Sequence, residues 1–270
     1  MARGSAFAAD AGLGSGLDPA QAFYTQQLKT IATAQTLLLA DGKTVWLAGL
    51  DIPEGREQSV MVALDSLMGR SVLYMIDPEA GSKVRYDRWG RMVAQVLLAD
   101  GTWIQGRLVV EGLARVNGDR DHRTLIPQLL RLEEEARQAH RGLWAKPMFH
   151  VYDADRIRAT RRFEVVEGRV ITAAIVGGRG YLNFGQDRRR DFTVVAEPEI
   201  LRLFTQKDRT WRGYSGQRIR VRGYVGFFDG PRIDLSYPEQ IEVIDSSNPV
   251  TAVSSPSPPS SPEDFLSERP

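Results

Sequence analysis

The chain has 270 residues, 42% hydrophobic and 26% charged, enough for one large or two modest globular domains. It contains no cysteine, which excludes disulfide frameworks, thiolate metal sites and thiol nucleophiles. The formal net charge of +1 averages regions of opposite sign: Arg156 to Arg232 holds 17 Lys and Arg against 8 Asp and Glu, whereas Asp245 onward holds one Arg and four acids. The middle of the chain is therefore the part expected to meet phosphate.

The histidines His122, His140 and His150 lack a close ligand spacing, which argues against zinc. No apolar run is long enough to span a membrane. The opening MARGSAFAADAG has small residues spaced like the end of a secretory signal without its apolar segment, and a disordered polar N-terminus explains it equally well. A periplasmic or secreted location follows if a signal lies upstream, a cytoplasmic one otherwise.

Residues 1–27 read as a flexible N-terminus, rich in Gly, Ala and Ser. Thr30 to Leu39 and Thr44 to Leu50 read as two strands joined at the turn signal Ala40-Asp41-Gly42. Glu57 to Met68 sets Val60, Met61, Leu64 and Leu67 on one helical face, and Gly69 closes it. Strands at Ser71 to Ile76 and Met92 to Leu98 flank the charged stretch KVRYDRWGR. Helices follow at Ile104 to Glu111, stopped near Gly112, and at Leu125 to His140, where Leu129, Leu132 and Ala136 share a side and the run EEE at 133–135 reads as the solvated face. The order strand, strand, strand, helix, strand, strand is that of an OB barrel, with helices appended.

A second block, residues 151–245, takes shape after the basic joint RIRATRR. Short alternating segments occur at Glu164 to Ile171, Gly180 to Phe184, Asp191 to Val195, Arg218 to Val225 and Ile241 to Ile244, with a helix candidate from Pro198 to Phe204. This reads as a second small OB-like β-barrel. From 246 to 270 the Ser/Pro-rich tail cannot bury a core and is expected to be disordered. The fold class expected is mainly β with helices (α+β).

The stretch LAGLDIPEGRE, Leu47 to Glu57, sets an apolar run against Asp51, Pro53 and Glu54. Such residues end strands, and a carboxylate pair also serves metal binding and general-base chemistry; both readings stand at this point. Four pieces then line up: VWLAGLDIPE at 45–54, DRWGR at 87–91, LVVEGLARV at 108–116 and EEEARQAHRGLW at 133–144. Together they resemble the staphylococcal-nuclease-like, or thermonuclease, family over residues 28–150. Through YLNFGQDRRRDFT and GPRIDLSYPEQIEVI the second block resembles the OB-like extension found in some bacterial relatives.

The resemblance implies a staphylococcal-nuclease-type OB barrel that cuts DNA or RNA phosphodiesters with one calcium ion. It implies Asp51 and the backbone carbonyl of Ile52 as metal ligands, Glu54 as the acid that orients or deprotonates the attacking water, and Arg91 as the phosphate clamp. A hard cation wants oxygen ligands, and a guanidinium fork suits phosphate oxygens. Asp87 and Trp89 are expected to fix the shape of the loop that carries Arg91.

Two departures weaken that set. The family's second arginine, five residues before the metal-binding Asp, is Trp46 here, and indole offers one N–H and no charge. The family's Asp-Gly-Asp-Thr motif reads Thr33-Ala34-Gln35-Thr36, so the second ligand carboxylate is Gln35 with a neutral amide. Loss of a transition-state donor costs about 10²- to 10³-fold in rate, and loss of a ligand carboxylate weakens calcium binding. The expectation is a thermonuclease-family protein with a weakened or lost metal site. The alternatives are a non-catalytic single-stranded nucleic-acid binder and an envelope module for a protein partner. For binding, the second block offers Arg188, Arg189 and Arg190 in one cluster and Arg218, Arg220 and Arg222 on alternate positions of one strand face. Tyr181, Phe184, Phe192 and Tyr224 either join them or fill a core.

Overall fold

The computed structural model describes residues 17–66, 72–78, 83–187, 189–205 and 210–244. Leu67, Met68, Gly69, Ser71, Arg188 and the Ser/Pro tail lie outside them. The stretch expected to be flexible, 1–27, overlaps built structure. Leu17 is buried in the first core, a 3-10 turn covers Pro19–Gln21 with Asp18 as its cap, and the first strand already starts at Tyr24.

The first barrel is built from β1 (Tyr24–Thr33), β2 (Thr36–Leu39), β3 (Thr44–Leu47), β4 (Leu50–Asp51), α1 (Glu57–Asp65), β5 (Val72–Ile76) and β6 (Met92–Leu98). Hydrogen bonds close β1, β2, β3, β6 and β5 into a ring. The long β1 makes closure possible by serving two neighbours: residues 24–27 pair with β5, and the bulged part from Leu28 to Thr33 pairs with β2. Bulges of this kind bend a strand and sharpen its twist. Thr30 to Leu39 is therefore not one strand, because Ala34 and Gln35 turn the chain so that Thr33 faces Thr36. At the next hairpin Gly42 takes φ 88°, as the Ala40-Asp41-Gly42 signal anticipates.

Three further elements, α2 (Ile104–Val110), β7 (Arg115–Val116) and α3 (Ile126–Gln138), complete the first unit. Two motif glycines meet here: Leu143 N–H donates to Gly112 O at 2.7 Å, and a Cβ on Gly112 would lie 2.2 Å from Arg141 O. Only glycine permits that approach at φ 67°, so LVVEGLARV and EEEARQAHRGLW are two sides of one contact.

The second unit comprises β8 (Val151–Asp153), β9 (Phe163–Arg169), β10 (Thr172–Val176), β11 (Arg179–Asn183), β12 (Thr193–Ala196), α4 (Pro198–Leu201), β13 (Arg218–Tyr224), β14 (Gly226–Phe227), β15 (Pro231–Asp234) and β16 (Ile241–Val243). Its strands hydrogen-bond as two sheets, β10-β11-β12-β15-β14 and β16-β13-β9-β8, around one core that includes Phe192, Leu182, Val194, Ile219, Val221 and Ile233. With β9 and β10 taken as one bent strand, and β13 and β14 as another, the order is first, second, third, fifth, fourth, as in the first barrel. Each unit also has a parallel pair joining third and fifth strands, β3 with β6 and β12 with β15.

The seam between the units is charged and dry. Alternation along β13 sends Ile219 and Val221 into the second core and Arg218, Arg220 and Arg222 outward, where Arg220 and Arg222 meet α3 and Arg218 stays exposed beside Glu167. Arg222 is fully buried. Its Nη1 donates to Glu133 Oε2 at 2.8 Å and its Nη2 to Glu242 Oε1 at 2.5 Å. Glu133, also fully buried, accepts from Val116 N at 2.8 Å and from Arg137 at 3.2 Å. Arg220 bonds Glu134 at 2.8 Å and Glu167 at 3.2 Å, and Arg218 bonds Glu167 at 2.8 Å. The glutamate run at 133–135 is thus not a solvated face: Glu133 is interior, Glu134 half-buried and only Glu135 exposed. Tyr237 reaches from the second unit into the first core and accepts a 2.8 Å bond from Gly118 N, while Arg123 makes a bidentate pair with Glu239 at 2.7 and 2.8 Å.

Removing one partner of a buried pair leaves the other charge uncompensated, which costs about 3–5 kcal/mol. Glu133→Ala is expected to destabilise the chain by roughly that amount in urea denaturation, with both units lost in one transition. Burial acts to raise the Glu134 carboxyl, but Arg137 and Arg220 outweigh it and hold the group at about 2 against an ordinary 4.5. A depressed acid stabilises the fold above its unfolded value and stops doing so as pH falls through its folded value. The stability difference between wild type and Glu134→Gln, on the order of 1 kcal/mol after allowance for solvent screening, should be full above pH 4.5 and fade toward pH 2.

Candidate nucleic-acid interface

β4 is two residues long and pairs with β7, with Asp51 directly opposite Arg115. The strand register therefore creates the ion pair: Asp51 Oδ2 accepts from Arg115 Nε at 2.9 Å and from Nη2 at 2.7 Å. Arg115 also lies 3.9 Å from Glu164 Oε2 and 5.0 Å from the centre of the Phe163 ring, so the second unit covers its far side. Burial pushes the Asp51 carboxyl up, with Glu133 adding to it, and Arg115 pulls it back only in part.

Gln35 sits in the β1–β2 turn, and its amide nitrogen donates to Leu47 O at 2.9 Å and Leu50 O at 3.0 Å. These two bonds tie the turn to the carbonyls on either side of the β3–β4 corner. A carboxylate has no proton to offer them, so the amide at this position is what the local architecture requires. Ile52 packs against the first core, and Glu54 stands exposed on the turn closed by Gly55 at φ 77°.

The DRWGR loop is wound around Asp87. Its Oδ1 accepts the backbone N–H groups of Trp89 and Arg91, each at 2.9 Å, and its Oδ2 accepts Arg91 Nε at 2.7 Å. Burial acts upward on Asp87, but these bonds outweigh it and hold the carboxyl below the usual range. Asp87 thus fixes the loop, as its place in the motif suggests. Arg91 also donates from Nη1 to Thr36 Oγ1 at 3.2 Å. Its guanidinium lies 3.9 Å from the Trp46 ring centre and 4.8 Å from that of Trp89, while Arg88 lies 4.0 Å from Trp89. Trp46, Arg91, Trp89 and Arg88 form a chain of alternating rings and cations in which Trp89 is 64% exposed. Arg56 and Arg85 take other places, over the Phe149 ring and beside Asp77 at 3.2 Å.

No hydrogen bond or ion pair among the described residues links Asp51, Glu54 and Arg91 to one another. A cavity of about 520 Å³ opens elsewhere, lined by Tyr86, Asp87, Asp119, His122, Glu197 and Glu199 among others. A family model described as staphylococcal nuclease homologue matches residues 44–146. These residues form a staphylococcal-nuclease-like domain. The match begins at β3, after the turn that carries Gln35. No curated protein matches the chain.

The residues of this staphylococcal-nuclease-like domain do not fit a calcium ion. No three Asp, Glu, His or Cys side chains converge among the described residues. One oxygen of the Asp51 carboxylate, Oδ2, already holds the Arg115 guanidinium. The second unit departs from the sequence reading too. Arg222 is enclosed in the seam and Arg220 is nearly so, because both are neutralised by carboxylates of α3, β9 and β16, so these two face protein, while Arg218 is exposed and paired with Glu167. Arg189 and Arg190 are exposed, and Arg188 lies outside the described residues. Phe192 fills the second core with Phe184 against it, Tyr181 is half-buried, and Tyr224 is exposed. Arg115 carried no signal of its own in the sequence; only strand pairing places it at Asp51.

A double-mutant cycle tests this pairing. Arg115→Ala alone should destabilise by about 3–5 kcal/mol by stranding a buried carboxylate, and Asp51→Ala should recover part of that loss in the double variant. Additive single effects would mean that the two side chains are not coupled.

Proposed function

We propose that the chain is a nucleic-acid-facing member of the thermonuclease family that binds single strands without calcium-dependent cleavage. The observation that carries this reading is the Arg115 fork on Asp51 Oδ2, at 2.9 and 2.7 Å. A divalent cation placed against that oxygen would meet a positive group within bonding distance, and at such range like charges repel strongly in a desolvated site. Gln35, held by two carbonyls, gives the cation no charge, and Trp46 gives the phosphate no second fork.

What supports binding is the loop around Asp87. An exposed indole backed by guanidinium groups is a platform on which an unstacked base can lie, while arginines meet the phosphates. Arg91 keeps its family position there and serves as a phosphate contact. The apolar ring of Trp46 beneath it extends the stack instead of competing for the anion.

The test incubates the full chain with labelled single-stranded DNA and RNA, with calcium or with EDTA, beside Glu54→Gln and Trp89→Ala. Wild type and Glu54→Gln should bind alike and release no product. Binding should weaken steeply with salt and fall about tenfold in Trp89→Ala. Cleavage that EDTA stops and Glu54→Gln abolishes would overturn the reading.

A further inference from the structure

The basic joint RIRATRR is not a free linker. Ile157 is buried in the second core, and the joint then runs beside the bend between β13 and β14. Arg161 N donates to Val225 O and Val225 N donates to Arg162 O, both at 2.9 Å. Val225 is fully buried, and these bonds tie Arg161 and Arg162, both exposed, to the residue next to the exposed Tyr224. The Tyr224 ring meets Phe163 edge-on at 5.7 Å and is 63% exposed.

Two exposed aromatics follow within four residues, Phe227 at 69% and Phe228 at 66%. Arg232 stands opposite Gly226 across the hairpin, with its guanidinium 4.7 Å from the Phe228 ring centre. On its other side Arg232 is the strand neighbour of Thr193, which follows the loop that carries the exposed Arg189 and Arg190. The acids on these two hairpins are Asp187 and Asp191 on one and Asp229 and Asp234 on the other, and Asp234 holds Arg232 at 3.0 Å. Arg161 and Asp229 have left-handed backbones, φ 55° and 51°, so the surface is bordered at both ends by conformations that non-glycine residues adopt sparingly.

Resting on the nucleic-acid-facing reading above, we propose that Arg161, Arg162, Tyr224, Phe227, Phe228 and Arg232 form a second single-strand track on the second barrel. Three solvent-facing rings with guanidinium groups on either side match the two needs of an unpaired strand, a face for each base and a cation for each phosphate. A duplex hides its base faces and leaves such rings without a partner. The β14 edge is two residues long, too short to recruit an extended peptide by strand addition. The guanidinium groups placed beside the rings suit a polyanion better than a neutral apolar partner.

The full chain is titrated into a fluorescent thymidine oligonucleotide and followed by anisotropy across a salt series. Phe227→Ser with Phe228→Ser should weaken binding by about tenfold or more, and Arg161→Ala should weaken it less and flatten the salt slope by roughly one unit. Val62→Ser, on the exposed face of α1, should change nothing. All these side chains lie on the surface, so unchanged circular dichroism keeps the comparison clean. If the phenylalanine pair binds like wild type while Trp89→Ala does not, the second track is wrong and the nucleic-acid-facing reading survives. If wild type binds no oligonucleotide at low salt, both fall. Sedimentation with phosphatidylserine vesicles that depends on Phe227 and Phe228, without oligonucleotide binding, also overturns the track and assigns the surface to lipid.

Discussion

The contact between Arg222 and Glu133 is the constraint on which the arrangement of the whole chain depends. Each side chain is fully buried, and each is tolerable there only because the other is present. Arg222 sits on a central strand of the second barrel and Glu133 on the helix that roofs the first. Neither unit can keep its charge dry alone. Val116 N, Arg137 and Glu242 add further hydrogen bonds to the pair, while the Nε atoms of Arg137, Arg220 and Arg222 stay buried without a hydrogen-bond partner among the described residues. The docking that follows fixes which faces of each barrel remain open to a partner.

Those open faces carry the residues of the candidate site. In the first barrel Asp51 is paired across two strands with Arg115, and Gln35 clips the β1–β2 turn to two carbonyls. Arg91 remains at the surface, held by Asp87 and Thr36 and stacked on Trp46. What is left is a cationic and aromatic surface next to a neutralised carboxylate. Arg88 and Arg91 both stand against the Trp89 ring there, so cation and ring share one surface.

Much of the fold was legible in the sequence because hydrophobic period and turn chemistry are local. The Ala40-Asp41-Gly42 turn, the buried Val60 and Leu64 on α1 and the alternating β13 follow from spacing alone. Gln35 was legible as a departure, though its reason was not, since the carbonyls it binds belong to residues 12 and 15 positions away. The β13 arginines illustrate the limit best: alternation places them correctly on one face, but cannot say whether that face meets solvent or a helix 80 to 90 residues earlier. The glutamates at 133–135 misled for the same reason. Like-charged runs are ordinarily solvated, and only the opposing arginines make burial affordable. Arg115 could not be found at all without the register of two short strands.

Tyr237 completes the core of a barrel to which it does not belong by sequence. Its hydroxyl meets Gly118 across a separation of 119 residues, and its ring and Ile126 both pack close to that glycine. During synthesis the first barrel leaves the ribosome before this ring exists, so its core reaches its final packing only after the second unit has been made.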